Sequence, residues 1–240
     1  MRSELRKLVV LPTPRWTLIT VVFAAVITAV VVAFVGPGSD SLPLNVIGVA
    51  LPTWVASIVI GVWMAGLEYG QNTMRRTLSR NPNRLKLIGN KLAVALLATT
   101  AITVIATVVA TPLLALAASG SDAGLPPGDT LLAGLGMLAG NVVYTIAGFC
   151  SGLASRSMAG GMTIALTFFF AIDNAMTAIP KVGDFMLSAV STEIFQEIVG
   201  TDIAGTDFDV KIVQAVLVSL VWVAAFVGLS SFRFMRTDVS

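Results

Sequence analysis

The polar stretch of this sequence with the clearest chemical potential runs from Glu68 to Lys91. It reads EYGQNTMRRTLSRNPNRLKLIGNK and holds six basic residues and one acidic residue. Guanidinium and ammonium groups at this density bind acidic protein surfaces or anionic lipid headgroups. The stretch therefore predicts a docking surface rather than a catalytic centre.

The sequence provides poorly for the common kinds of catalysis. It contains no histidine, and Cys150 is its one cysteine, which removes Ser–His and Cys–His nucleophile pairs, histidine-ligated metals and any internal disulfide. A phosphate-binding loop of the GxxxxGK[ST] type is also missing from the sequence. We expect a chain that is not an enzyme, has no catalytic residue and binds neither a metal nor a cofactor of its own.

The elements around the basic stretch are long apolar runs. Of the 240 residues, 56% are hydrophobic and 12% are charged, and an apolar run of about 20 residues spans a hydrocarbon core. The pattern predicts an all-α integral membrane protein, a single transmembrane domain over residues 1–240. Its six predicted spans are 16–35, 47–67, 92–118, 131–153, 158–179 and 212–232.

The distribution of charge predicts the orientation of these spans. With the N-terminus inside, the predicted cytoplasmic segments hold 13 of the 15 lysines and arginines, and 10 of the 13 acidic residues fall outside. An excess of Lys and Arg on the cytoplasmic side is the usual rule for short loops. We therefore expect both termini in the cytoplasm of a multi-pass plasma (inner) membrane protein.

The basic loop, residues 68–91, favours a short helix of about two turns. Gly70 lets the chain turn after the second span, nothing from Thr73 to Ser79 resists a helix, and Pro82 ends the element. A helix this short needs packing or a partner to hold it. One interpretation is a surface helix whose arginines meet anionic lipid; the other is a docking helix for a protein.

This stretch, placed after the second of six spans, resembles the first cytoplasmic loop of ABC-2 type transporter permeases, the membrane subunits of ATP-binding-cassette exporters. The N-terminal SELRKLVVLPTPRW is similar to the family's amphipathic entry helix. The resemblance implies that residues 73–79 form the coupling helix, which docks on an ATPase subunit. One departure is Asn72, where the family often has Gly. The residues that would couple to the ATPase are Glu68, Gly70, Thr73, Met74, Arg75, Arg76 and Leu78.

The same resemblance implies the partners. ATP and Mg would be bound by two copies of a separate ATPase, and a second permease subunit, identical or paralogous, would complete the path. The cargo would be amphipathic or hydrophobic, such as a drug, a peptide or a lipid. No nucleic-acid partner is expected.

The predicted outer segment, residues 173–211, carries seven acidic and two basic residues and apolar residues at roughly helical spacing. We expect one or two amphipathic helices that lie on or dip into the outer leaflet, as a gate or as a structural cover. Possible contributors to the gate or path are Asp173, Asn174, Asn141 and Tyr144.

Two repeated patterns lie inside the spans. Thr99, Thr103, Thr107 and Thr111 recur every four residues, which favours hydroxyls bonded to the preceding turn of a packing helix. Gly136 with Gly140, and Gly148 with Gly152, are spaced for close helix approach.

Other classes of function stay open. An ion-coupled carrier or a channel would also have six spans, although such proteins usually place charges within them. A membrane anchor that assembles an ATPase without transporting anything has the same sequence features. An intramembrane enzyme is disfavoured by the lack of histidine and of an acidic cluster.

Overall fold

A computed structural model of the chain describes residues 12–35, 42–71, 84–117, 127–179, 181–199 and 212–236. Within these ranges the protein is all-helical, without a strand. The helices are α1 (Pro12–Val35), α2 (Leu42–Gly70), α3 (Arg84–Ala117), α4 (Pro127–Ser155), α5 (Met158–Thr167), α6 (Asn174–Thr177), α7 (Leu187–Val199) and α8 (Ile212–Arg236), with a π-helical segment at Phe168–Asp173 and a 3₁₀ turn at Gly183–Phe185.

Five stretches of the described helices are long and apolar enough to cross a bilayer: Ala50–Gly70, Leu85–Ala110, Gly134–Ser155, Met158–Thr177 and Ile212–Ser230. They match the second to sixth predicted spans. The first predicted span lies in α1, a helix of 24 residues, and the described residues of this helix include the apolar stretch Arg15–Ala24. The predicted count of six spans and the direction of crossing stay predictions.

The third helix differs most from the predicted boundaries. It begins at Arg84 in the described chain, eight residues before the predicted start of the span, so that Lys91 lies inside a helix and not in the loop. At 34 residues the helix is about 51 Å long, well beyond a hydrocarbon core. Hydropathy marks where a helix enters the apolar layer, whereas helical hydrogen bonding continues past that point.

The bundle is arranged around α2, which is mostly buried and packs against α1, α3, α4 and α5. One apolar cluster joins α2 to α3 and α4 and includes Trp63, Val94 and Phe149. A second cluster joins α2 and α4 to α5 and α7 through Trp54, Tyr144 and Phe169. The last helix, α8, is mostly exposed and packs against α4 and α7.

A tight turn joins α4 to α5. Arg156 adopts a left-handed backbone conformation with φ 55°, and the Ser157 hydroxyl accepts a hydrogen bond from the Gly160 amide at 3.3 Å to cap α5. A β-carbon added at Gly161 would lie 2.7 Å from the Gly152 Cα. The turn therefore sets α5 directly against α4.

Candidate functional site

The basic loop is only partly visible in the described residues. Gly70 is the last residue of α2 and is exposed, as expected for a turn that leads away from the bundle. Five predicted coupling residues lie outside the described residues: Thr73, Met74, Arg75, Arg76 and Leu78. The structure describes α2 and α3, the two helices that the loop connects, and it shows how they contact each other beside the loop.

Glu68 lies in the last turn of α2 and is buried. Its Oε2 is 3.3 Å from the Nζ of Lys91 in α3, and these side chains are 4% and 2% exposed. The Lys91 ammonium also donates a hydrogen bond to the Met64 carbonyl at 3.2 Å. Glu68 therefore joins the two helices at the base of the loop, instead of presenting a free carboxylate to a partner.

A buried polar junction joins α2, α3 and α4 further along the bundle. The Asn141 side-chain amide of α4 donates to the Thr103 hydroxyl of α3 at 2.6 Å, and its Oδ1 lies 2.9 Å from the Ser57 hydroxyl of α2. Ser57 is also 2.7 Å from the Thr53 carbonyl, so its single hydrogen serves one acceptor at a time. Asn141 is fully buried and therefore acts as a link between three helices.

The threonine repeat of α3 contributes to the same contact. The hydroxyls of Thr99, Thr103 and Thr107 each bond to the carbonyl four residues earlier, which confirms the predicted bonding pattern. Thr99 also lies 2.9 Å from Thr145 of α4. The repeat thus forms a polar seam along α4, because hydroxyls that satisfy their own helix can still meet a neighbour.

The spaced glycines of α4 allow the close approach that the sequence predicts. A β-carbon added at Gly148 would lie 2.5 Å from the Ile58 carbonyl oxygen, and one at Gly152 would lie 2.9 Å from the Val62 carbonyl oxygen, both in α2. At Gly140 the neighbour is the Trp54 ring, and at Gly136 it is the Phe195 ring of α7. Gly148 and Gly152 thus let α4 approach the α2 backbone, whereas Gly136 and Gly140 leave room for aromatic rings.

Tyr144 of α4 lies between α2 and the π-helical segment Phe168–Asp173. Its ring stacks on Trp54 of α2 at a centroid distance of 5.3 Å and meets the edge of Phe169 at 4.8 Å. It is 4% exposed, and the offset and edge-on geometries are those that aromatic pairs prefer. These contacts join α2 and α4 to the π-helical segment that carries Asp173.

Asp173 is fully buried, although it is an ionisable residue in an apolar stretch. One carboxylate oxygen accepts the Leu187 amide at 2.9 Å, and the other accepts the Ser188 amide at 3.1 Å. Both amides belong to the first turn of α7, which lacks helical acceptors and favours a negative charge. Asp173 therefore caps α7 from another helix.

The neighbouring Asn174 has a different setting. Its side chain is exposed, and its Nδ2 donates to the Phe169 carbonyl at 2.7 Å. The π-helical segment Phe168–Asp173 displaces the regular hydrogen bonds at this point, so Asn174 supplies a donor that the widened turn needs.

Two further contacts hold α7 in place. The Thr177 hydroxyl lies 3.1 Å from the Ser188 hydroxyl, and the Trp222 indole of α8 donates to the Phe185 carbonyl at 2.8 Å. The predicted outer segment contains, within the described residues, the short helix α6, one 3₁₀ turn and one helix of 13 residues. This helix packs against α4 and α8, with Leu187, Val190 and Phe195 buried.

The structure brings some of the predicted residues together and gives them partners. Tyr144 and Asp173 lie where α2, α4, α5 and α7 meet. Asn141 links α2, α3 and α4, and Glu68 lies at the loop end. Sequence reasoning missed Lys91, whose signal was a basic residue next to an apolar run, and it missed Ser57 and Trp222, for which the sequence carries no periodic signal. No described group of three or more acidic or cysteine residues could hold a metal.

Comparison with known proteins finds no family model that matches this chain and no curated protein that matches its sequence. The fold defines the class: by the length and composition of five apolar helices among the described residues, this is a multi-pass membrane protein.

Proposed function

We propose that the chain is the permease subunit of an ATP-driven exporter of the ABC-2 type, with six spans, both termini in the cytoplasm and the plasma membrane as its site. A second permease subunit, identical or paralogous, and two copies of a separate ATPase complete the transporter. The cargo is an amphipathic or hydrophobic molecule such as a drug, a peptide or a lipid.

The observation that carries this proposal is the placement of the basic loop. The loop connects α2 to α3, and α2 packs against four other helices and is mostly buried. A partner that binds Arg75 and Arg76 and changes shape would therefore act directly on a helix that contacts α1, α3, α4 and α5. Docking at the end of α8, which packs against α4 and α7, would reach fewer neighbours.

The mechanism follows from this connection. The ATPase subunits approach each other when they bind ATP and separate after hydrolysis. Residues 73–79, bound in a cleft of the ATPase, move together with that subunit. The displacement tilts α2 and α3 and shifts the population between inward-open and outward-open arrangements. The chain itself supplies the docking helix, the lever and the apolar path, while ATP and Mg stay on the partner.

The buried charges of the described spans favour an exporter over an ion-coupled carrier. A carrier needs an intramembrane ionisable group that exchanges its ligand during transport. Glu68 is paired with Lys91, and Asp173 is bonded to two backbone amides. Both carboxylates therefore have structural partners that an ion would have to displace.

The test is co-purification from membranes that contain the full chain and its ATPase partner. Reversing two charges in the loop, with Arg75→Glu and Arg76→Glu, should abolish recovery of the ATPase while the chain still inserts in the membrane. The matched control reverses two charges on the same predicted side, with Arg233→Glu and Arg236→Glu, and should retain the partner.

A second measurement separates transport from assembly. ATP-dependent movement of a fluorescent lipid or drug in proteoliposomes that hold both subunits supports the exporter. A complex that binds and hydrolyses ATP but moves none of these probes supports the anchor alternative. Solute movement by the chain alone, without ATPase, contradicts the proposal.

A further inference from the structure

The buried ion pair of Glu68 and Lys91 lies where α2 and α3 lead into the basic loop. The two residues are 23 positions apart in the sequence, and their charged atoms are 3.3 Å apart. Glu68 precedes the end of α2 by two residues, and Lys91 follows the first residue of α3 by seven. The pair therefore closes the base of the loop.

The pair is fully sheltered from water. Leu67, which precedes Glu68 in α2, and Leu87 of α3 lie in the same apolar cluster and are 8% and 5% exposed. Removing both charges from water costs several kcal/mol per ion, and the attraction returns this only with good geometry and further hydrogen bonds. The bond from Lys91 to the Met64 carbonyl is one such addition.

A buried pair of this kind contributes little net stability, since apolar residues of similar volume do as well or better. Its effect is on register instead: neither charge can leave the other without becoming an unpaired charge in an apolar layer. Sliding or separation of α2 and α3 at the loop is penalised sharply, whereas movement of the two helices together leaves the pair intact.

We propose that Glu68 and Lys91 are positioning residues. They make the ends of α2 and α3 move as one unit when a bound partner exerts a force on the basic loop. The inference rests on the proposed function for the source of this force, which is the ATPase. The ion pair that links the two helices is a property of this chain alone. Contacts of Leu67 and Leu87 alone would let the two helices slide, because apolar contacts are not directional.

The experiment measures the distance between the helix ends in the full chain, reconstituted in nanodiscs. Spin labels are placed at Gln71→Cys and Gly89→Cys, in a Cys150→Ala background that removes the buried native thiol. Gln71 is exposed, and a β-carbon at Gly89 meets no atom within 4 Å. Pulsed electron paramagnetic resonance then gives the width of the distribution of distances between the two spin labels.

The decisive variant replaces both charges with methionine, Glu68→Met and Lys91→Met, which leaves no lone buried charge and therefore keeps the bundle folded. We expect its distance distribution to be broader than that of the parent. The exchanged pair, Glu68→Lys with Lys91→Glu, should narrow it again. Lys86→Met, which removes an exposed cation from the same helix, should leave it unchanged.

The readout separates this inference from the proposed function. A double methionine variant with the parental width overturns the positioning role, whatever the chain transports. A broadened distribution in a chain that recruits no ATPase supports the linkage and counts against the exporter. In the complete transporter, the double methionine variant should bind the ATPase normally and lose most of the transport per ATP hydrolysed.

Discussion

The carboxylate of Asp173 accepts the backbone amide of Leu187 at 2.9 Å, so a residue of one apolar stretch caps a helix that begins 14 positions later. This contact explains how a charge is accommodated in a span. The contact also fixes the start of α7 to the π-helical segment that carries Asp173. Further along α7, the Phe195 ring packs at Gly136 of α4.

Asp173→Ala should release α7. The change leaves the buried Leu187 amide and the part-buried Ser188 amide without their acceptor, and a buried unsatisfied group costs about 1–3 kcal/mol. The melting temperature in detergent should fall, and a thiol placed at the buried Ser191 should react faster in the Cys150→Ala background. Glu197→Ala alters an exposed carboxylate of the same helix and should change neither. An unreactive Ser191→Cys thiol in the Asp173→Ala chain would show that packing alone holds α7.

Thr103→Val should weaken the three-helix junction. Valine keeps the shape of threonine and removes the hydroxyl that accepts the Asn141 amide at 2.6 Å. Hydrogen bonds between membrane helices average about 0.6 kcal/mol and reach about 1.7 kcal/mol, and this one is short and buried. Reversible unfolding in mixed micelles measures the change in free energy.

Thr163→Val is the control for that experiment. Its hydroxyl is exposed and bonds to the Ala159 carbonyl of its own helix at 3.0 Å, so the same chemical change should cost little. Equal losses in the two variants would assign the effect to the intrahelical bond and not to Asn141.

Gly61→Ala should disrupt the contact between α2 and α4. The added carbon would overlap the Thr145 carbonyl oxygen and lie 2.7 Å from the Phe149 amide nitrogen. Both neighbours are backbone atoms that cannot rotate away, so the helices must separate at the centre of the bundle. We expect a loss of at least about 1–3 kcal/mol, the usual cost of overpacking, measured as a fall in the melting temperature.

Gly228→Ala is the opposite case. No atom lies within 4 Å of its added carbon, and alanine favours a helix over glycine by about 1 kcal/mol. This variant should be as stable as the parent or slightly more stable. A destabilised Gly228→Ala chain would mean that another molecule covers that face of α8.

The direction of crossing is tested by labelling with an impermeant thiol reagent in intact cells. In the Cys150→Ala background, Ser121→Cys should react from outside, and Ser79→Cys should react only after the membrane is made permeable. The reason is the uneven distribution of Lys and Arg between the two sides. The reverse pattern would place the basic loop outside the cell, where no ATPase can dock, and the exporter proposal would fall with it.

Part of the fold could be predicted because it depends on short-range properties. Five of the six predicted spans correspond to apolar helical stretches, and the bonding of Thr99, Thr103 and Thr107 to the preceding turn follows their spacing. The glycine pairs of α4 also behave as their spacing suggests. The boundaries were less predictable, since α3 already includes Lys91.

The partners of the candidate residues could not be predicted. The sequence placed Glu68 in a docking loop and Asp173 near a gate, without indicating that each has a buried structural partner. Neither Lys91 nor the Leu187 amide is marked by a motif. Such pairs depend on the rotation of each helix about its axis and on where two helices meet, and no local pattern encodes either.

The sequence by itself determined that this protein is helical and suited to a membrane. In lipid every backbone amide must find its acceptor, and a helix meets that requirement within one segment, so the length and polarity of each run are sufficient. Tertiary structure alone decided that Glu68 meets Lys91, that Asn141 links three helices and that Asp173 caps α7. Those contacts join residues far apart in the chain, and they exist only because side-chain packing fixes how the helices are rotated and spaced.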